Sequence, residues 1–335
     1  MKRIKRFLLI FVLVVIVAYL LGPKPPKPDL NKDLPSVSTN VNTVESYIKK
    51  KEAAYNIKPD NESRIFWAND SIHERTEYCV LYLHGFSASW YEGYPAHVEF
   101  ARKFGFNLYT PRLWDHGLVT DDALLDMTPD KLWASAKEAL MVARSLGKKV
   151  IIMSTSTGGT LSLQLAADFP EYVAALILYS PNIRINNAAA FLLSKPWGLQ
   201  IGRMVVGGKY RVTNEDFGSK ECEYWNCKYR MEATVYLQQL VESTMKKATF
   251  EKITAPVFLG YYYKDEEHQD PTVKVDAMLK MFDELGTPPS EKEKVAFPDA
   301  GVHPIACELT SGCVDEVIAE TEKFAENILG LQPVR

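Results

Sequence analysis

Apolar and polar positions divide the chain into three regimes. Residues 7–21 are uncharged and almost all Leu, Ile, Val and Phe, directly behind the basic start Met1-Lys2-Arg3-Ile4-Lys5-Arg6. Gly22-Pro23-Lys24-Pro25-Pro26-Lys27-Pro28 then carries too much proline for a helix or a central strand, and reads as a stiff extended spacer. From residue 41 to residue 335 the pattern becomes that of a folded domain, in which short apolar runs alternate with stretches of helical period. The expected organisation is therefore an N-terminal segment over 1–22, a linker over 23–40 and one domain over 41–335.

Within that domain the short runs rich in apolar residues are expected to be strands, those before Ser156 and over 173–180 buried on both faces. They are Arg64–Ala68, Tyr78–Leu83, Asn107–Leu113, Lys149–Met153, Val173–Ser180, Ala255–Tyr262 and Lys294–Phe297. Between them, helical spacing predicts helices over 42–56, 94–104, 129–146, the segment following Ser156, 233–246, 275–285 and 314–329. Thr128-Pro129 marks one start clearly, because threonine caps and proline suits the first turn. Strands alternating with helices imply an α/β fold with a mostly parallel central sheet and helices on both faces. The alternation lapses over about 182–232, which is rich in aromatics and reads as a cap inserted over the sheet.

Composition narrows the functional classes. A formal charge of -3 over 335 residues argues against a nucleic-acid footprint. A basic stretch followed by an apolar one is the pattern of an export signal or signal anchor, and no small-x-small cleavage site follows it. The expectation is an uncleaved membrane anchor with the domain outside the cytoplasm, in the periplasm or at the cell surface. The five cysteines fit that location: Cys222 with Cys227, and Cys307 with Cys313, could each close a short loop, while Cys79 sits inside an apolar strand. Their spacing does not suit a zinc site.

The candidate chemistry lies where the Lys149–Met153 run breaks into Ser154-Thr155-Ser156-Thr157-Gly158-Gly159. A strand, a sharp turn of small residues and a helix would lift the Ser156 hydroxyl clear of the sheet as a nucleophile. The pattern G-x-S-x-G is not strictly met, since Ser154 holds the place of its first glycine. A nucleophilic serine needs a base and a carboxylate to orient it. Of six histidines only His303 follows the last strand, in Pro298-Asp299-Ala300-Gly301-Val302-His303. Two backbone amides must also converge on the developing oxyanion. Thr157, opening the helix, and Phe86, in the His84-Gly85-Phe86 loop after an earlier strand, are the expected donors, with His84 bracing that loop.

On the strength of His84-Gly85-Phe86, Ser156-Thr157-Gly158-Gly159 and Gly301-Val302-His303, the chain from about 64 to 329 resembles the α/β-hydrolase family. Within that family it is most similar to esterases, lipases and monoacylglycerol-lipase-like members with a helical cap. Asp115-His116-Gly117 stands where such proteins often carry a Gly-His-Gly turn. The resemblance implies a serine hydrolase without metal or organic cofactor, working through an acyl-enzyme on a small-molecule or lipid ester. It also implies an acid after the strand that ends at Tyr262. Asp265 falls where the family's acid usually lies, while Asp270-Pro271-Thr272-Val273 looks like the sequence that usually follows the acid. Asp270 is favoured as the acid, with Asp265 as the alternative, in a triad with Ser156 and His303. Trp197, Trp225, Tyr224 and the Tyr261-Tyr262-Tyr263 run are expected to line an acyl cleft. The same triad would serve an amidase, a peptidase or a thioesterase, and the scaffold could also be a non-catalytic binding protein.

Overall fold

The chain folds around a sheet whose strands are the apolar runs of the sequence. The computed structural model describes residues 2–38 and 40–334. In chain order the elements are α1 (Lys2–Leu20), α2 (Val41–Glu52), β1 (Arg64–Phe66), β2 (Thr76–Leu83), α3 (Ala96–Phe104) and β3 (Asn107–Thr110). There follow α4 (Pro129–Leu146), β4 (Gly147–Thr155), α5 (Thr157–Asp168) and β5 (Val173–Tyr179). The cap contributes α6 (Gly198–Val205), β6 (Tyr210–Val212), α7 (Lys220–Tyr224) and β7 (Lys228–Arg230). The chain closes with α8 (Met231–Thr244), α9 (Lys247–Phe250), β8 (Val257–Tyr261), α10 (Val275–Glu284), β9 (Lys292–Ala296) and α11 (Val314–Asn327).

The seven-stranded sheet runs β1-β3-β2-β4-β5-β8-β9. All neighbours pair in parallel except β1, which lies antiparallel to β3. Side chains alternate across each strand and supply two cores. Cys79, Leu81 and Leu83 of β2 face the layer of α4, α5, α8 and α10, with Leu140, Leu161, Leu240 and Met278 fully buried. Val80 and Tyr82 face the layer of α3 and α11, against Phe100, Phe104 and Phe324. Chain progression reverses direction between β2 and β4, so the loops at their carboxyl ends part and leave a crevice there, where α/β folds bind ligands.

The linker departs from the sequence expectation. Instead of standing free, residues 23–38 lie as a strap across the helices. Asp130 Oδ1 accepts from the Asp29 and Leu30 amides, and Trp133 Nε1 donates to the Asn31 carbonyl. Lys137 Nζ donates to the Asn31 and Asp33 carbonyls, Lys32 pairs with Asp168, and Gln239 Nε2 donates to Pro26 O. An extended proline-rich backbone leaves its carbonyls unpaired, and side chains of α4 and α8 use them.

The N-terminal segment also differs from the expectation. Among the described residues no helix is long and apolar enough to cross a membrane. The uncharged part of α1, residues 7–20, spans about 21 Å at 1.5 Å per residue, against about 30 Å of hydrocarbon. The spanning anchor read from the sequence is not supported.

Of the two expected cysteine pairs, Cys222–Cys227 is a disulfide. Cys307 and Cys313 are free, because a turn at Cys307 directs the first thiol to the Tyr91 carbonyl and leaves the second at the start of α11. Cys79 is buried, as the apolar run implied.

Candidate active site

The turn from β4 to α5 is built around Ser156, the one residue there with a left-handed backbone, at φ 54° and ψ -117°. A non-glycine residue in that region is strained and persists only where its surroundings over-determine it. Here four backbone bonds do so. Ser156 N–H donates to Tyr179 O, and Ser156 O accepts from the amides of Gly159, Thr160 and Asn182.

The two glycines are there because backbones meet. A Cβ on Gly158 would lie 1.9 Å from Leu83 O, and one on Gly159 would lie 2.5 Å from Pro181 Cβ. Gly158→Ala is expected to destabilise the fold by about 3 kcal/mol, the upper end of overpacking costs. The helix would have to part from β2, and urea unfolding would show the loss as a fall in midpoint. At Ser154, where the family pattern has glycine, the small side chain is accommodated wholly buried in β4 between Leu83 and Leu178.

The structure brings His303 to Asp270 and leaves Asp265 elsewhere. Asp270 Oδ2 accepts from His303 Nδ1 at 2.7 Å, and Asp270 Oδ1 accepts from the amides of Thr272 at 2.8 Å and Val273 at 2.9 Å. Both carboxylate oxygens are therefore satisfied by donors, which suits an ionised group that is only 1 % exposed. Burial works against the Asp270 charge, but the His303 charge and hydrogen bond, with the two amides, outweigh it and hold the carboxyl below its usual range.

For His303 burial likewise opposes the charged form. The Asp270 charge and hydrogen bond, with a smaller push from Glu92, prevail and raise the imidazole above its ordinary value. Asp265 is exposed and organises its own loop, accepting from the Glu267 and His268 amides and from His268 Nδ1. A small hairpin closed by Tyr263 and Gln269 carries it outward, which is the insertion that made the position ambiguous in the sequence.

His84 takes the bracing position expected of it. Its Nε2 accepts from the Leu113 amide at 3.1 Å, so its Nδ1 carries the proton and donates to Gly85 O at 2.9 Å. Burial, reinforced by nearby His116, pushes it well below the ordinary imidazole range, keeping it neutral. The loop after β2 is thereby tied to the loop after β3. Phe86 follows in that loop, with its ring edge-on to Tyr229 of the cap at 5.0 Å.

A cavity of about 480 Å³ brings these loops together, with Phe86, Ser156, Thr157 and His303 in its lining. His303 Nε2 is buried and has no protein partner, while its ring shares the lining with Ser156. The cap lines the cavity with Leu192, Leu193, Ile201, Val205 and Val206, together with Arg211 and Glu221. Of the aromatics expected there, only Trp225 lines the cavity. Tyr224 stacks on Tyr91 instead, Trp197 faces outward, and Tyr261 and Tyr262 pack into the two cores. The cap is also less helical than expected, since β6 and β7 pair as a ribbon.

Glu92 is the lining residue that sequence reasoning missed. It sits in the 3₁₀ turn Trp90–Gly93, only 2 % exposed, and accepts from the Gly85 amide. A lone acid in the apolar run Trp90-Tyr91-Glu92-Gly93-Tyr94 was the available signal.

Comparison with known proteins agrees with this architecture. The pattern of the alpha/beta hydrolase family matches residues 80–308. Among solved structures, one reported for LipS and LipT, two metagenome-derived lipolytic enzymes, has 18% identity and a TM-score of 0.63, covering 80% of this chain and 98% of its own. A soluble variant of monoglyceride lipase from Saccharomyces cerevisiae, in complex with a substrate analogue, has 11% identity and a TM-score of 0.57, covering 79% and 90%. A putative non-heme bromoperoxidase, BpoC, from Mycobacterium tuberculosis has 14% identity and a TM-score of 0.54, covering 82% and 98%. No curated protein sequence matches the chain.

Proposed function

Since the chain belongs to the alpha/beta hydrolase family, we propose that it is a serine hydrolase of carboxylic esters working through an acyl-enzyme. The observation that carries this reading is the state of His303: Nδ1 is held by a buried carboxylate, while the buried Nε2 is unpartnered in a cavity that Ser156 also lines.

In the proposed cycle Ser156 Oγ attacks the acyl carbonyl carbon and its proton passes to His303 Nε2. Asp270 keeps the proton on Nδ1 and stabilises the imidazolium that forms. The Phe86 and Thr157 amides, the latter at the start of the 12-residue helix α5, receive the oxyanion. Collapse breaks the ester bond, and His303 returns the proton to the departing alcohol. Water then attacks the acyl-enzyme by the same route and frees Ser156. The aliphatic part of the cap lining suits an apolar acyl chain, and two of the similar structures are of proteins described as lipolytic or as a monoglyceride lipase.

We place the domain outside the cytoplasm, in the cell envelope. The Cys222–Cys227 disulfide and the basic-then-apolar N-terminal segment support that location. One reagent tests both parts. A charged fluorophosphonate probe that does not cross the cytoplasmic membrane is expected to label the purified protein at Ser156, and to label it equally in intact cells. Failure on the purified protein would refute the hydrolase. Labelling only after lysis would refute the location alone.

A further inference from the structure

Two carboxyl groups, Asp270 and Glu92, act on His303, and the proposed cycle uses only the first. Glu92 lines the same cavity as Ser156 and His303. Its Oε2 accepts from the Gly85 amide. Gly85 is clamped between that carboxyl and the nucleophile. A Cβ built on it would lie 2.6 Å from Glu92 Oε1 and 3.0 Å from Ser156 Cβ. The Phe86 amide belongs to the next peptide, whose carbonyl, Gly85 O, accepts from His84 Nδ1, so Glu92 and His84 together hold the two peptides that flank Gly85.

We propose that Glu92 is a positioning residue for acyl transfer: it anchors the oxyanion loop through Gly85 and presents a second negative charge to His303. This inference rests on the serine-hydrolase reading above.

Apart from His303, the titratable groups that face Glu92 carry no positive charge. Tyr82 of β2 lies against it, as does the free thiol of Cys307 from the loop that follows His303. Beyond Tyr82 lies His97 of α3, its ring 4.4 Å from the tyrosine ring. Burial keeps His97 neutral at neutral pH by pushing it down to about 3. Burial pushes the Glu92 carboxyl up to about 7, against the pull of the Gly85 amide, the His303 charge and the Tyr82 hydroxyl. The ionised carboxylate in turn favours the imidazolium on His303.

The sign of the effect follows. The base must be neutral to accept the Ser156 proton, so kcat/KM falls on the acid side as His303 protonates. A neighbouring carboxylate raises the pH at which this happens, and in return stabilises the imidazolium of the transition state. Replacing Glu92 by a neutral isostere lowers that pH and lowers kcat as well.

Two variants separate the anchoring role from the charge. Glu92→Gln retains an oxygen for the Gly85 amide and loses the charge. With a p-nitrophenyl ester it is expected to move the acid limb of kcat/KM down by ~0.5–1 pH and to slow kcat roughly tenfold. Glu92→Ala also loses the acceptor, and a loosened oxyanion loop is expected to cost a further ~10-fold or more in kcat, with KM nearly unchanged. A purely structural role would lower folded content and move no pH limb. An acid limb unmoved in Glu92→Gln, or a kcat for Glu92→Ala no lower than for Glu92→Gln, overturns the proposal.

The His303 imidazole is also to be titrated by NMR in Ser156→Ala, with and without Glu92→Gln. A downward shift is expected and no shift overturns the proposal. This readout needs no turnover, so it stands even if the fluorophosphonate probe fails to label the wild-type protein and the hydrolase reading falls.

Discussion

Ser156→Ala is expected to lower kcat by about 10⁴- to 10⁶-fold, or about 5–8 kcal/mol of transition-state stabilisation, while leaving KM for a short acyl ester nearly unchanged. The substitution removes only the hydroxyl. The Ser156 Oγ makes no bond that holds the turn, since the strained conformation is fixed by backbone bonds to Tyr179, Gly159, Thr160 and Asn182. The fold should therefore survive, and a thermal melt within a few degrees of wild type would show that it does. Binding should survive too, because the cap walls and both oxyanion amides are untouched. Steady-state kinetics on the purified domain check the point. Turnover within tenfold of wild type would remove Ser156 from the chemistry altogether.

The second large effect separates two aspartates that lie five positions apart. Asp270→Asn is expected to reduce kcat about 10³- to 10⁴-fold, and Asp265→Asn to leave it within about twofold. An amide at 270 could offer Nδ2–H to His303 Nδ1 and so favour the tautomer whose proton lies on Nε2, where it cannot accept from Ser156. It would also remove the charge that offsets the burial of the imidazolium. The Asp265 carboxylate meets only its own hairpin and water, so its loss should loosen residues 263–269 without reaching the cavity. Comparable losses at both positions would mean that the hairpin, and not the contact with His303, is what the enzyme needs.

Much of this arrangement was legible beforehand, for a specific reason. Parallel strands buried on both faces must be apolar throughout, so β2, β4, β5 and β8 announce themselves in the sequence, and the loops at their ends can be counted off. Ser156, His303 and Phe86, which line one cavity, stand in loops that this counting reaches. β1 and β9 read less clearly because they lie at the sheet edges and are only partly buried. The cap resisted because each short element there owes its form to a neighbour. The ribbon of β6 and β7 needs Arg230 bound to Asp122 and Tyr210, and α7 is held by a disulfide and by Lys58 on the Cys222 and Trp225 carbonyls. Glu92 escaped notice because a lone acid among aromatics hints at burial without naming its partner. Its significance arises only when residues 85 and 92 fold against each other.

The strap over residues 23–38 has a mechanical consequence. It ends where the Trp197 amide bonds Pro23 O, while the Trp197 indole bonds Ala18 O, so the chain's first helix leaves from the cap itself. Sixteen residues of free coil would let a domain wander over a radius of about 20–25 Å. Here that slack is taken up against α4 and α8. The first helix therefore meets the cap at a fixed heading, and the opening of the cavity keeps a constant bearing toward it.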